Sequence, residues 1–402
     1  MKAADYGTHT PTATAFVSTN SICQGQQVPI LWPLMLDTGN RIVFAHTSFK
    51  WANLASHNAG VTVVIVGLSS QGKAPRRLYS VANVKSEAVD LKEVAHINAY
   101  LVPGADVIVE KASRPLSGQA EMSFGNKPVD GGHLLLSSDG VNALGLTSTQ
   151  RARFIRRIYG SAEFIRGLER YCLWIEDVNL EEAMQVAGIR QRIENVRAMR
   201  LASRDSGANE MAARAHQMRE MNIAQKWTIT VPRTSSESRP SLPNGLIDAS
   251  STVTSEAFAL YDAPLWNMAL IASRLHLVWI GTVCGKLKTD FRYSNTMGWN
   301  TFPVPLLTEQ NKADLTACAE NILLAREAHF PATIADLYDP ATMPDNLRAA
   351  HARNDEVLER IYIGRRFKND TERLEKLFEL YTKMTAAAKA KPATKALKGK
   401  KA

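Results

Sequence analysis

The run Val61-Thr62-Val63-Val64-Ile65-Val66 constrains the fold more than any other stretch of this chain. Every residue in it is β-branched, which suits a pleated strand, and no charge interrupts it. A strand with one wet face alternates polar and apolar residues; this one does not, so it must be covered on both faces. Residues 13–22 and 41–47 carry the same β-branched and aromatic character and are predicted as strands of the same sheet. Between them, residues 28–36 form an apolar stretch that fits a crossover helix despite Pro29 and Pro33, and Asp37-Thr38-Gly39-Asn40 supplies a turn. The strand, helix, strand order predicts an α/β protein that opens with a partial Rossmann-like sheet.

At 402 residues the chain has room for two or three domains. Beyond residue 70 it turns polar, and Ser113-Arg114-Pro115-Leu116-Ser117-Gly118 marks a boundary, giving segments 1–112, 113–306 and 307–385. The middle segment reads as mixed α/β. A short strand is predicted at 133–137. A helix opened by Thr147 follows, with Gln150 completing a capping box, Phe154, Ile155 and Ile158 inward, and Arg151, Arg153, Arg156 and Arg157 outward. A strand at 171–176 leads to a helix capped by Asn179 with Glu182 and running to about Leu201; strands at 226–231, 245–247 and 257–261 and a helix over 269–283 complete the segment. The last segment is a helical bundle. Its stripes are Leu315, Ala319, Ile322 and Leu323; Leu347, His351, Asn354, Leu358 and Ile361; and Leu374, Leu377, Phe378 and Tyr381. Residues 386–402 are mostly alanine and lysine, read as a disordered basic tail.

The net charge of +9 is weak evidence for a nucleic-acid partner, because six lysines lie in the last fourteen residues. Residues 151–240 say more: fifteen arginines and one lysine stand against eleven acidic residues. Arginine suits bidentate recognition of phosphate and guanine, although a solvated helix face also accounts for some of these residues. The four cysteines and nine histidines show no metal-ligand spacing, and the absence of a signal peptide or a span-length apolar run points to the cytoplasm rather than a membrane.

Three stretches suit DNA chemistry. Phe49 and Trp51 straddle Lys50 beside the strongest strand and fit either the stacking of an extruded base or two core aromatics. The loop Val231-Pro232-Arg233-Thr234-Ser235-Ser236-Glu237-Ser238-Arg239-Pro240 concentrates donors and acceptors suited to base edges: Arg for guanine, Glu for cytosine, Ser for either base or phosphate. A plain surface turn fits it equally. Lys286, Lys288 and Arg292 interleave with Phe291 and Tyr293, as in a backbone-contacting segment or a helix end with snorkelling lysines.

Together these strings resemble the MmeI-like adenine-specific DNA methyltransferases of single-chain restriction-modification enzymes. The resemblance runs through Ser18-Thr19-Asn20-Ser21-Ile22, Phe49-Lys50-Trp51, Phe124-Gly125-Asn126-Lys127-Pro128, Tyr159-Gly160-Ser161-Ala162-Glu163-Phe164, Arg192-Ile193-Glu194-Asn195-Val196-Arg197, Ser235-Ser236-Glu237, Cys284-Gly285-Lys286 and Leu377-Phe378-Glu379-Leu380-Tyr381, in the family's order. It implies that 1–112 is the end of a methyltransferase domain, 113–306 a target-recognition domain and 307–385 the C-terminal domain. It implies a base-flipping pocket at Phe49, Trp51 and Asn53, and DNA contacts at Arg204, Arg233, Ser235, Ser236, Glu237, Arg239, Lys286, Lys288 and Arg292. The sequence departs from the family at Asn53-Leu54-Ala55, Gln24-Gly25-Gln26-Gln27 and Thr301-Phe302-Pro303-Val304-Pro305, the first two losing an acidic residue each.

Methyl transfer in this family uses S-adenosylmethionine on a glycine loop and an Asp/Asn-Pro-Pro-aromatic loop, and no Pro-Pro dipeptide occurs here. The expectation is therefore the double-stranded-DNA-reading half of an N6-adenine methyltransferase, truncated or split. It would bind no S-adenosylmethionine alone and would need a separate chain carrying the cofactor-binding half. The alternatives are a stand-alone DNA-binding protein and a decayed gene fragment with an exposed sheet edge.

Overall fold

The computed structural model describes residues 2–51, 61–71, 75–81, 88–287 and 290–390. Helix α1 (Lys2–His9) precedes strand β1 (Thr14–Thr19); helix α2 (Gln27–Leu36) crosses to β2 (Arg41–Lys50), and β3 (Thr62–Ser69), β4 (Arg76–Val81) and β5 (Val89–Val94) follow. The β-branched run forms β3, and only Thr62 and Ile65 of that strand escape full burial. The predicted strand, helix, strand unit is present, but its two strands are not direct neighbours. The order among the described residues is β1-β3-β2-β4-β5. β3 returns antiparallel and fills the gap between β1 and β2, pairing Thr19 with Val63 on one side and Phe49 with Val63 on the other. The crossover over α2 had left room for one strand, and the following antiparallel connection occupies it. One face of this sheet packs Ile42, Ala45, Val64 and Val66 against Val28, Trp32 and Met35 of α2. Phe44 lies on Gly67, where a Cβ would meet its ring at 2.1 Å, so only glycine fits.

The middle of the chain adds β6 (Ser123–Phe124), β7 (Leu135–Leu136), α3 (Ser138–Asn142), α4 (Ser148–Phe154), β8 (Ile155–Tyr159), α5 (Ser161–Arg166), β9 (Tyr171–Leu173), α6 (Leu180–Gln185), α7 (Ala187–Leu201) and α8 (Ser206–Glu210). The Thr147–Gln150 capping box forms as expected. The helix it opens ends at Phe154, however. Ile155, Ile158 and Tyr159 belong instead to β8, whose partners β9 and β13 (Ser251–Val253) outweigh the helical pattern. The long helix expected from Asn179 to Leu201 breaks at Val186, and the Asn179 side chain makes no cap bond. Gly188 lies against Leu144, with a would-be Cβ 2.7 Å from its Cδ2, so the break lets α7 close onto the preceding turn. These elements enclose a core of their own around Leu134, Phe154, Trp174, Ile189 and Met218.

Next come β10 (Trp227–Pro232), β11 (Thr234–Ser235), β12 (Gly245–Asp248), β13, β14 (Ala257–Tyr261), α9 (Trp266–Ala272), α10 (Arg274–Val283), β15 (Lys286–Leu287) and β16 (Asp290–Arg292). The single helix expected over 269–283 is two. Ser273 separates them, donating Oγ to the Leu270 carbonyl at 2.7 Å and capping α10 by accepting from His276 N. Helices α11 (Glu309–Glu327), α12 (Ile334–Leu337), α13 (Asp345–Ile363) and α14 (Asp370–Ala390) close the chain. The three predicted stripes face inward, apart from the partly buried Leu323 and Ile361. α14 continues to Ala390, past the point where the alanine and lysine tail was expected to lose order, since both residues favour helix.

A second core extends from Ala4 through α9 and α10 to Tyr381. Trp279 packs on Phe378 and Tyr381, and Asn354 Nδ2 donates to the Ala269 carbonyl at 2.9 Å. The first sheet and the helical end thus share one apolar interior. Among the described residues no helix is long and apolar enough to cross a membrane.

Candidate nucleic-acid interface

β1 and β2 run in the same direction, so the 3₁₀ turn Asn20–Cys23 after β1 and the Phe49–Trp51 segment ending β2 emerge at one end of the sheet. Open α/β sheets place ligands at the carboxyl ends of such strands. Phe49 stacks edge-on to His46 at 4.5 Å and lies 6.4 Å from Trp51 in a tilted pair. Asn53, the third member of the expected flipping pocket, lies outside the described residues, as does Lys288.

The expected reading loop forms its own small scaffold. β10 runs through Pro232 into Arg233, and β11 pairs Thr234 with Arg292 and Ser235 with Phe291 of β16. Two clefts of about 770 and 500 Å³ flank this hairpin and share Arg233 and Arg292. The larger is also lined by Ser161, Arg166, Ser235, Ser236, Arg239 and Asp290. The smaller reaches Asn20, Ser21, Gly25 and Lys286. A third cleft of about 210 Å³ shares Lys286 and continues to Thr47 and Ser48 of β2. The path therefore runs from the carboxyl end of the first sheet to the reading loop. Its first two clefts present Arg166, Arg233, Arg239, Lys286 and Arg292 against Glu256 and Asp290, an excess of positive charge suited to a polyanion.

The expected contact residues fall into distinct situations. Arg233 is held internally: Nη1 donates to the Ser255 carbonyl at 2.9 Å, and the guanidinium lies over Phe124 and Phe258. Burial, reinforced by the neighbouring Arg292 charge, draws its pKa below the usual arginine range. Ser235 is buried, and its Oγ accepts from Arg239 Nη1 at 3.2 Å. Ser236 shares a hydrogen bond with Ser238, and Glu237 pairs loosely with Lys286 at 3.5 Å. Arg292 is exposed on the shared wall. Arg204 is exposed in the turn after α7 and lines neither large cleft.

Two supports were not singled out as site residues from sequence. The first is the α5 platform. Gly160 N donates to Glu163 Oε2 at 2.8 Å, Ser161 Oγ donates to the Glu256 carbonyl, and Arg233 N donates back to Ser161 Oγ. Arg170 bridges Glu163 and Glu256, and any Cβ at Gly160 would lie 2.7 Å from both carboxylates. The Tyr159-Gly160-Ser161-Ala162-Glu163-Phe164 string thus fixes one wall of the cleft to the reading loop. The second is Gly25, at φ +55°, whose would-be Cβ is 3.2 Å from Gly285 N. Two backbones touch there, joining the turn after β1 to the β15–β16 hairpin.

The target recognition domain of MmeI, as a family model, matches residues 103–306; its DNA-methyltransferase domain matches 1–80 and its C-terminal domain 307–388. The chain belongs to the MmeI family. DNA methyltransferase A of Bacillus subtilis (strain 168) is 37% identical over 386 residues, which are 95% of this chain and 43% of that protein. The structure of the Type IIL restriction-modification enzyme MmeI in complex with DNA superposes with a TM-score of 0.87 at 33% identity, covering 96% of this chain and 51% of that one. The chain thus spans about half the length of these relatives, and its matches to the methyltransferase, target recognition and C-terminal models follow one another along it in that order.

Proposed function

We propose that this chain is the DNA-reading portion of a site-specific N6-adenine DNA methyltransferase of a restriction-modification system, acting on double-stranded DNA in the cytoplasm. The observation that carries the proposal is the continuous, arginine-lined path from the carboxyl end of the first sheet to the reading loop. Side chains divide the work along it. Ser236, Glu237 and Arg239 meet base edges, Arg donating to guanine O6 and N7 and Glu accepting from the cytosine amine. Lys286 and Arg292, with Lys288 beside them in sequence, neutralise phosphates, and Arg204 is an outlying contact. Arg233 and Ser235, committed to internal bonds, position the loop. An adenine leaving the stack is received at the wall formed by Phe49 and Trp51, with Asn53 the third member expected from sequence.

The residues present do not fit S-adenosylmethionine. Among the described residues, the cleft at the turn after β1 is lined by amides, hydroxyls, aromatic rings and cations, with no carboxylate to take the cofactor's ribose hydroxyls. Methyl transfer is therefore assigned to further polypeptide, in the same or a separate chain, that supplies the cofactor loop and the Pro-Pro-aromatic loop. The outer side of β1 suits its attachment. Among the described residues β1 pairs only with β3, and Phe16 and Val17 on it are exposed. The core running from Ala4 to Tyr381 favours a folded DNA-binding protein over a decayed remnant.

Duplex-binding measurements with single base-pair changes in the preferred site test the reading. Arg239→Ala should relax preference at one position, by about 1–3 kcal/mol of lost discrimination, and leave the others intact. A uniform loss across all sequences would remove Arg239 from the base-reading role.

A further inference from the structure

The fifteen arginines of residues 151–240 sort themselves by partner. Arg200 is wholly buried and donates to the carbonyls of Pro128, Val129, Met211, Arg214 and Gln217. Arg153 pairs with Glu182, Arg170 with Glu163 and Glu256, and Arg219 with Glu220. Arg156 and Arg157 lie over Trp174 and Tyr159, and Arg151 over Tyr171. Arg190, Arg192 and Arg214 donate to backbone carbonyls, Arg233 to Ser255 and Arg239 to Ser235. Arg166, Arg197 and Arg204 are left, each exposed and without a side-chain hydrogen bond, ion pair or ring partner among the described residues. Of these three only Arg166 lines the cleft.

Its support is rigid. Arg166 ends α5, the platform tied to the reading loop through Ser161, and Gly167 at φ +67° turns the chain away immediately after it. A Cβ on Gly167 would sit 3.5 Å from Thr333 Cγ2, so that turn is backed by the start of α12. Arg166 and Arg292 thus stand on separate elements lining one cleft, with Ser236 and Arg239 on the loop between them in sequence. A solvated arginine at a helix end needs no such mounting.

We infer that Arg166 is a further DNA contact of the cleft, taking a backbone phosphate on the α5 wall while Arg292 takes one on the β16 wall, so that the strand is clamped over the reading loop. The inference rests on the reading that this cleft holds DNA. A phosphate contact contributes without regard to sequence and through counterion release, which sets its signature.

The test is binding of the full chain to fluorescent duplexes, one of random sequence and one carrying the preferred site, across a salt series. Arg166→Ala should weaken both by about five- to tenfold at 0.1 M salt and reduce the slope of log K against log salt by about one. Arg166→Lys, which keeps the charge and covers any folding defect of the alanine variant, should retain most of the affinity. Arg197→Ala, an unpaired arginine off the cleft, should change nothing. Unchanged affinity and slope in Arg166→Ala, while Arg239→Ala and Arg292→Ala are impaired, would overturn this contact and leave the cleft reading standing. Unimpaired binding in all three cleft variants would overturn both. A loss confined to the preferred site would also overturn the phosphate role.

Discussion

At the scale of single residues, the arginines show how little of a side chain's job is visible in sequence. Residues 151–240 look like one basic surface, yet most of their guanidinium groups serve the fold. Arg200 is the extreme case, and its carbonyl partners come from two separated segments, 128–129 and 211–217, that no local pattern predicts. Arg200→Ala should cost at least about 3 kcal/mol in urea unfolding, because several buried carbonyls lose a charged donor at once; a loss below about 1 kcal/mol would contradict the hub role. Buried titrating groups give a pH prediction. Burial holds both His276 and His351 down to about 3, from an ordinary value of 6.5. Each binds its proton more weakly folded than unfolded, so the stability they contribute is complete above pH 6.5 and is lost as pH falls toward 3. Asp355, raised to about 6 by burial, acts oppositely and weakens the fold as pH rises from 3.8 through 6. Two histidines outweigh one aspartate, so Tm should fall from pH 7 to pH 5, and His351→Gln should flatten that fall. A Tm that rises on acidification would contradict the assignment.

At the scale of elements, legibility followed the range of the forces involved. The Thr147–Gln150 box uses neighbours three residues apart, and it is present; α14 is likewise capped locally, Asn369 Oδ1 accepting from Glu372 N. β3 was legible because its composition alone requires two covered faces. The strand order was not, since β3 enters between β1 and β2 through pairing that side-chain pattern leaves open. β8 read as helix because its arginines extend the preceding helical pattern, and pairing to β9 and β13 overrides it. In the candidate site, the concentration of polar and basic residues in 231–240 and 286–292 was legible. The α5 platform and the Gly25–Gly285 contact were not, because each depends on a segment far away in sequence. Gly25→Ala should be strained by both its positive φ and the contact with Gly285, by about 1–2 kcal/mol. The expected outcome is weakened DNA binding along with reduced thermal stability, read by fluorescence anisotropy and circular dichroism. Unchanged DNA binding would mean that the seam between the first sheet and the hairpin does not shape the groove.

At the scale of the whole molecule, one core joins the first sheet, α9, α10 and the C-terminal helices, while a second holds the arginine-rich module. The reading loop and hairpin lie beside the shared core, so the groove is mounted on the part of the fold that also carries the ends of β1 and β2. That arrangement would present a flipped base to a methyl donor held by further polypeptide. Isothermal titration of this chain with S-adenosylmethionine should accordingly give no binding heat; micromolar binding would contradict the assignment of the cofactor to further polypeptide. The central claim is that the groove reads sequence, and selection from a randomised duplex pool tests it most directly. The wild-type chain should enrich one short site, and Arg239→Ala should enrich the same site with one position degenerate. Recovery of unselected sequence by the wild type, despite a cooperative thermal transition, would contradict it.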